Sequence, residues 1–170
     1  ELGEVAPSTF IPIAEESSLI HELGAWVFGE ACGQLARWNA AGLACVPVAV
    51  NLSAPQFTPD LPKLVADSAR AHGIDPGLIE LEVTESMLIK SPETARRLLQ
   101  QIAVRGSRIV LDDFGVGYSS LSYIKHLDLD GIKIDRGFLQ GVESDRHAAA
   151  ILEAVVTLTD RLGASAIAEG

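Results

Sequence analysis

The chain has 170 residues, 48% of them hydrophobic, and a formal net charge of −10 at pH 7. This length is that of one domain with a sizeable core, and the absence of any run of about 18 apolar residues argues against a membrane-spanning helix. The acidic balance excludes binding to polymeric nucleic acid on a basic surface, although it leaves room for a small phosphorylated ligand reached through metal ions.

The cysteines and histidines predict neither a disulfide framework nor a zinc site. Cys32 and Cys45 fit no metal-binding spacing and are typical of reduced thiols in a core. We therefore expect a cytoplasmic location, with any membrane tether provided by segments outside this chain. None of the four histidines follows a predicted strand, which argues against zinc bound by imidazole.

Taken in chain order, the first part is predicted to be a loop followed by a helix. Within residues 1–16, Pro7 and Pro12 interrupt any helical period. Apolar residues then recur every three or four positions over 18–41, which predicts a helix whose buried face includes both tryptophans, Trp26 and Trp38.

The rest of the chain alternates between strand and helix. Strands are predicted at 46–51, 78–84, 108–112, 131–135 and 166–169. Helices are predicted at 61–71, 91–104, 119–126 and 145–162. Five strands with helices between them predict an α/β fold with a parallel sheet and right-handed crossovers.

The third predicted strand carries the most informative stretch. A continuously apolar run, 109–111, is typical of a strand buried on both faces, and it ends in Asp112 and Asp113. Two adjacent carboxylates repel each other, and a divalent cation with oxygen ligands is the simplest way to stabilise them. The residues that follow loosely resemble a kinase Asp-Phe-Gly turn, but the other kinase motifs are missing. They also loosely resemble a dinucleotide-binding loop, but Ser120 holds the third glycine position and two aspartates would repel a pyrophosphate. A plain turn with solvated acids is a further alternative.

Polar residues also end the other predicted strands. Besides the two aspartates, they are Asn51, Glu82, Lys133 and Glu169. In a barrel of strand–helix units the carboxyl ends of all strands face one rim, where active sites are built, so we expect these side chains to converge. Glu80 is predicted to share a face with Glu82 and has no assigned role.

Six segments, taken in order, carry a resemblance to a known family. They are 10–16 (FIPIAEE), 50–53 (VNLS), 80–86 (ELEVTES), 112–120 (DDFGVGYSS), 133–136 (KIDR) and 168–170 (AEG). Together they resemble the EAL domain family, whose members are cyclic di-GMP phosphodiesterases or inactive relatives that bind the same nucleotide. The ordered set covers essentially the whole chain and is far more specific than any one motif.

The resemblance implies a TIM-like (β/α) barrel, which in complete form has eight strands and about 250 residues. We therefore expect residues 1–170 to be an incomplete EAL-type phosphodiesterase domain, a partial barrel that lacks the family's first strands and its last strand. The Glu-Ala-Leu signature of the family has no match in the chain and is expected upstream of Glu1. The chain by itself is expected to be inactive.

The resemblance also implies roles for single residues. The implied ligands of two Mg²⁺ or Mn²⁺ ions are Asn51, Glu82, Asp112, Asp113 and Glu169. The implied substrate contacts are Pro12, Asn51, Asp113 and Lys133. Lys133 and Glu169 are implied to be catalytic, with Lys133 orienting and polarising the attacking water.

One loop is expected to need support. Glu85 resembles the glutamate that holds the loop after Asp113 in place. Val116 stands in that loop where the family usually has threonine, which leaves open how firmly the loop is fastened and how it is coupled to dimerisation.

The resemblance implies hydrolysis of the bacterial second messenger cyclic di-GMP to linear pGpG by a two-metal mechanism in the complete domain. The alternative is a catalytically inactive regulatory domain that binds cyclic di-GMP. An unrelated metal-dependent barrel enzyme, such as an enolase-like lyase, would explain the acids at the rim but not the ordered motifs. The implied partners are cyclic di-GMP, a second copy in a homodimer of the complete protein, and signalling domains such as GGDEF or a sensor outside this chain.

Overall fold

A five-stranded parallel sheet forms the centre of the protein in the computed structural model, which describes residues 3–115, 124 and 127–168. The strands lie in chain order and every neighbouring pair is parallel. They are Val48–Asn51 (β1), Ile79–Thr84 (β2), Arg108–Phe114 (β3), Gly131–Ile134 (β4) and Ser165–Ala168 (β5). The predicted α/β class and the five strands are confirmed.

Helices lie between neighbouring strands as the alternation predicted, except between β3 and β4, where most of the connection lies outside the described residues. They are Pro7–Glu16 (α1), Ile20–Ala40 (α2), Leu61–His72 (α3), Glu85–Lys90 (α4), Pro92–Ala103 (α5), Arg136–Leu139 (α6) and Arg146–Arg161 (α7), with short 3₁₀ turns at Ala54–Gln56 and Pro76–Leu78. Of the helix predicted at 119–126, only Ile124 lies within the described residues. In the part of the chain that the structure describes, no helix is both long and apolar enough to cross a membrane.

Two predictions for the first 40 residues are wrong. The expected loop at 1–16 contains α1, which begins at Pro7, a position where proline is tolerated because its missing N–H would have no partner inside the helix. Pro12 lies within the same helix, where packing that buries Ala14 outweighs the hydrogen bond lost at the proline. Trp26 is not in the core: it is 62% exposed, on the face of α2 opposite the buried Phe28 and its neighbours.

The two faces of the sheet differ in chemistry. The face toward the helices carries fully buried apolar residues, which pack in one cluster with side chains of α2, α3 and α5: Ile79, Leu81, Val83, Ile109 and Leu111. Because successive side chains of a strand alternate between faces, the residues between them point the other way. This second face, which we call the inner face, carries Glu80 and Glu82 of β2, Asp112 of β3 and Lys133 of β4. The charged residues near the strand ends are therefore brought to one side of the sheet.

Candidate active site

An ion-paired cluster lies at the carboxyl ends of the three central strands. The Lys133 ammonium is 3.1 Å from Oε1 of Glu82 and 3.2 Å from Oδ1 of Asp112. The three side chains are between 9% and 16% exposed, so water screens the pairs only in part. We call these three residues the charged cluster. A single ammonium offsets the repulsion that the two carboxylates would otherwise exert on each other.

The register of the sheet explains why these residues meet. Leu111 pairs with Ile132, so the next residue on each strand, Asp112 and Lys133, is carried to the same place on the inner face. Glu82 lies on the adjacent strand β2, whose register with β3 pairs Thr84 with Asp112. The convergence of these strand-end residues, expected from the sequence, is observed for all three.

The backbone changes course between Asp112 and Asp113. The pairing of β3 with β4 shifts between Leu111 and Phe114, as at a β-bulge, and Asp113 has a φ of 54°. Aspartate tolerates this left-handed conformation better than most residues. The exposed Asp113 donates its backbone N–H to Oδ1 of Asp112 at 2.9 Å. A regular strand would send the two neighbouring carboxylates to opposite faces, and the bulge removes that constraint.

Asn51 lies at the end of β1, beside the charged cluster. Its Cα pairs with that of Glu82, and the next residue, Leu52, donates its N–H to the Glu82 carbonyl oxygen at 3.0 Å. Asn51 itself is exposed. We refer to Asn51 and Asp113 as the rim residues, because both are exposed at the mouth of the site while the charged cluster lies deeper.

The remaining predicted site residues have different surroundings. Glu85 begins α4 and is 3% exposed. Pro12 lies exposed in α1. Glu169 and Val116, with predicted roles at the metal centre and in the loop, lie outside the described residues.

The donor atoms fit a hard divalent cation. Within the described ranges, no group of three or more His, Cys, Asp or Glu side chains is arranged to hold a metal ion. Glu82 and Asp112 provide two such side chains, and the Lys133 ammonium lies within 3.2 Å of a carboxylate oxygen of each. Carboxylate and amide oxygens without sulfur or imidazole suit Mg²⁺ or Mn²⁺ better than zinc. The charged cluster together with Asn51 supplies that chemistry.

Glu80 lies one step further from the rim on the inner face. Burial raises the pKa of the Glu80 carboxyl, the nearby charge of Glu82 raises this pKa further, and the Arg108 guanidinium lowers it. Arg108 is its Cα partner on β3.

A groove of about 350 Å³ opens beside Asn51, between α1 and the ends of β1 and β2. Its polar lining includes Glu15 of α1 and Ser53, whose hydroxyl donates a hydrogen bond to Oε1 of Glu15. Neither residue has a role at the site that was predicted from the sequence. Glu15 lies in the first resembling segment and Ser53 in the second, but only the fold shows that these segments touch.

Comparison with known proteins identifies the family. The profile of the EAL domain matches residues 1–170. The chain belongs to the EAL domain family. It is 41% identical, over 169 residues and 99% of its length, to the bifunctional diguanylate cyclase/cyclic di-GMP phosphodiesterase MucR of Pseudomonas aeruginosa. It spans about a quarter of the length of the curated relatives that it matches, 25% in the case of MucR.

Solved EAL structures share the fold. The structure of the PaMucR phosphodiesterase in complex with c-di-GMP superposes on the whole chain with a TM-score of 0.91 and 40% identity, and the chain covers 69% of it. The EAL domain of Mycobacterium smegmatis DcpA matches 88% of the chain with a TM-score of 0.79 and 35% identity, and 68% of that domain is covered. The parallel sheet is thus part of the TIM-like barrel of EAL domains, which confirms the predicted fold class.

Proposed function

We propose that residues 1–170 belong to an EAL-type domain that, in complete form, hydrolyses cyclic di-GMP to linear pGpG. Two kinds of support converge on this activity. MucR, the relative with 41% identity, is named a cyclic di-GMP phosphodiesterase, and PaMucR has been solved with c-di-GMP bound. The chain also carries the acids and the lysine to which we assign roles in such a reaction.

The observation that carries the proposal is the meeting of Glu82, Asp112 and Lys133 at one point of the rim. Glu82, Asp112 and the rim residues are the proposed metal ligands, with Glu169 as a further one. When bound, two divalent cations would activate water for attack and stabilise the charge on the leaving oxygen.

Lys133 has the proposed role of orienting the attacking water and stabilising the charge that develops on the phosphoryl oxygens. A compact ammonium on a flexible stem suits this task, because it can turn its donors from the carboxylates toward substrate. The two carboxylates hold it on the inner face before the substrate arrives. Charge stabilisation of this kind acts mainly in the transition state and therefore appears in kcat.

The alternative is a regulatory domain that binds cyclic di-GMP without cleaving it. A receptor needs the nucleotide contacts but has no need of a lysine buried between two carboxylates, whose desolvation is unfavourable. The intact charged cluster therefore favours the phosphodiesterase.

Several properties of the complete protein belong to the same proposal. We propose that it forms a homodimer and carries further signalling domains, as the cyclase activity in the name of MucR suggests for that protein. We also propose that this domain is cytoplasmic.

The test uses the full-length protein with cyclic di-GMP and either Mg²⁺ or Mn²⁺, with the product identified by chromatography. The expected product is linear pGpG, formed only with the metal. Lys133→Met keeps the length of the side chain and removes its charge. We expect kcat to fall about 100- to 1,000-fold, while the Kd for cyclic di-GMP changes by less than about threefold.

The matched control is Lys63→Met on α3. The Lys63 side chain is 78% exposed and pairs only with its helical neighbour Asp67 among the ion pairs described, so kcat and Kd should both be unchanged. Tight binding without turnover in the wild-type protein would establish the receptor instead. Neither binding nor turnover would overturn both functions.

A further inference from the structure

One hydrogen bond connects helix α1 directly to the chain that carries Asn51. Ser53, two residues after Asn51, donates its hydroxyl to Oε1 of Glu15, which lies 38 positions earlier in the sequence. Both residues are partly buried. A hydroxyl donating to a carboxylate is among the stronger hydrogen bonds in proteins, since the acceptor is charged. We therefore expect this hydrogen bond to stabilise the packing of α1 against the segment that follows β1.

Ser53 is also held on its other side. Its backbone N–H donates to Oε1 of Gln56 at 2.9 Å, and Gln56 is only 8% exposed. The Gln56 amide lies so close to Gly24 of α2 that any side chain at position 24 would overlap it. Helix α2 thus fixes Gln56, and Gln56 fixes the backbone of Ser53.

The chain just after Asn51 is held by hydrogen bonds to three other parts of the fold. Asn51 ends β1, whose single partner among the described strands is β2. After Asn51, the chain is tied to β2 once, through Leu52 and the Glu82 carbonyl, and then to α1 and α2 through Ser53. A loss of the contact to α1 would remove one of the hydrogen bonds that hold the chain just after Asn51.

We propose that Glu15 is a positioning residue, which acts through Ser53 to hold Asn51 in the orientation that binds the metal ion. The inference rests on the proposed function, in which Asn51 is a metal ligand. It adds that the position of α1 affects metal binding. A displacement of α1 would weaken the binding of the metal ion by Asn51 without changing the contacts of the charged cluster. Groups that orient metal ligands in this way typically change metal affinity or activity about 10- to 100-fold when they are removed.

The experiment measures Mn²⁺ binding without nucleotide, from the electron paramagnetic resonance signal of free Mn²⁺, in the full-length protein. We expect Ser53→Ala to weaken Mn²⁺ binding about tenfold. Glu15→Gln removes the charge but keeps an acceptor, and should give a smaller loss. Ser53→Thr restores the hydroxyl and should recover the wild-type affinity. The double variant should be no weaker than Ser53→Ala, because both changes remove one interaction.

Turnover provides an independent readout. The kcat of Ser53→Ala should be low at limiting Mn²⁺ and approach the wild-type value when Mn²⁺ is saturating, with little change in Tm. A purely structural role would instead lower Tm and leave the Mn²⁺ affinity of the folded protein intact. Ser17→Ala is the control: this serine lies next to α1 and its hydroxyl donates to the Ile13 carbonyl at 2.7 Å, without reaching the site.

Each outcome decides the inference. Unchanged Mn²⁺ affinity in Ser53→Ala and Glu15→Gln, or additive losses in the double variant, would overturn it. If Ser53→Ala does not fold, Glu15→Gln and Ser53→Thr still decide, since both preserve the shape of the contact. A wild-type protein that binds Mn²⁺ but does not cleave cyclic di-GMP would refute the proposed phosphodiesterase while leaving the metal-binding comparison valid.

Discussion

The charged cluster and the rim residues lie side by side but are held in different ways. Glu82, Asp112 and Lys133 come from three neighbouring central strands, and the register of the sheet places them before any loop is considered. Asn51 ends β1, where the chain that follows is held by hydrogen bonds of Leu52 and Ser53, and Asp113 has a left-handed backbone at a register shift. The register of the sheet therefore positions the charged cluster, whereas a few local contacts position the rim residues.

The largest effect on stability is expected from removing the cation of the cluster. Lys133→Met leaves two largely buried carboxylates without an opposite charge, which should lower the free energy of unfolding by about 2–3 kcal/mol in EDTA. Mg²⁺ at saturating concentration should restore most of this loss, because the ion supplies the missing positive charge and binds only the folded protein. Urea denaturation measures both values.

The free energy of unfolding of Lys63→Met should equal that of the wild type in either condition, since the ion pair that this substitution breaks is exposed. If Lys133→Met lowers the free energy of unfolding by the same amount with and without Mg²⁺, Lys133 stabilises the fold by packing and not by its charge.

A second change should disturb the backbone beyond the rim without altering the cluster. Gly115 has a φ of 101°, and a Cβ at this position would overlap the ring of Phe138 from α6. We expect Gly115→Ala to lower the free energy of unfolding by about 2–3 kcal/mol, from backbone strain and overpacking together. Thermal denaturation gives the loss.

The double variant Gly115→Ala/Phe138→Leu separates the two causes, because the smaller side chain relieves only the overlap. Gly141→Ala is the matched control for strain: its φ is 77° and the nearest atom to a new Cβ would be 3.9 Å away. If Gly115→Ala and Gly141→Ala lower the free energy of unfolding equally, the overlap with Phe138 does not contribute to the effect at position 115.

At the rim, stability and function should move in opposite directions. Asp113→Gly removes the strain of a non-glycine residue at a φ of 54°, so stability should rise by up to about 1 kcal/mol. The loss of the proposed ligand should at the same time lower turnover. Ser18→Gly relieves a similar φ of 63° away from the site and should raise stability with unchanged turnover. A stability loss in Asp113→Gly would indicate that its carboxylate supports the fold.

The smallest effect is expected from Glu80→Gln, and it depends on pH. Because the pKa of Glu80 is raised, mainly by burial, the folded protein favours the protonated acid. This contribution to stability is fully present below the pKa of the unfolded chain, about 4.3, and is lost as pH rises through the folded value. Glu80→Gln should therefore be slightly more stable than wild type at pH 8 and equal to it at pH 3.5. A constant difference in Tm across this range would contradict the assignment.

Much of the fold followed from local patterns in the sequence. The apolar run of β3, the alternation of apolar and polar residues along β2 and the regular succession of strands and helices predicted the parallel sheet. Polar residues at or next to the strand ends pointed to Glu82, Asp112 and Lys133. For β3 the reasoning worked because burial of a strand on both faces demands apolar residues until the point where the strand reaches water. The same reasoning failed for α1, since a proline is a local signal of a break and the packing around Ala14 is not local.

The sequence alone determined which polar residues lie at or next to the strand ends and the oxygen-rich chemistry that they offer. Both depend on side-chain type and on the alternation of side chains between the two faces of each strand. Only the tertiary structure decided how they are paired. It placed Lys133 between Glu82 and Asp112, set the left-handed turn at Asp113, and joined Glu15 to Ser53. The ion pairs and the hydrogen bond join residues from 21 to 51 positions apart, and the turn at Asp113 accompanies a register shift between strands. A pattern along one segment of the sequence predicts neither the long-range contacts nor the register shift.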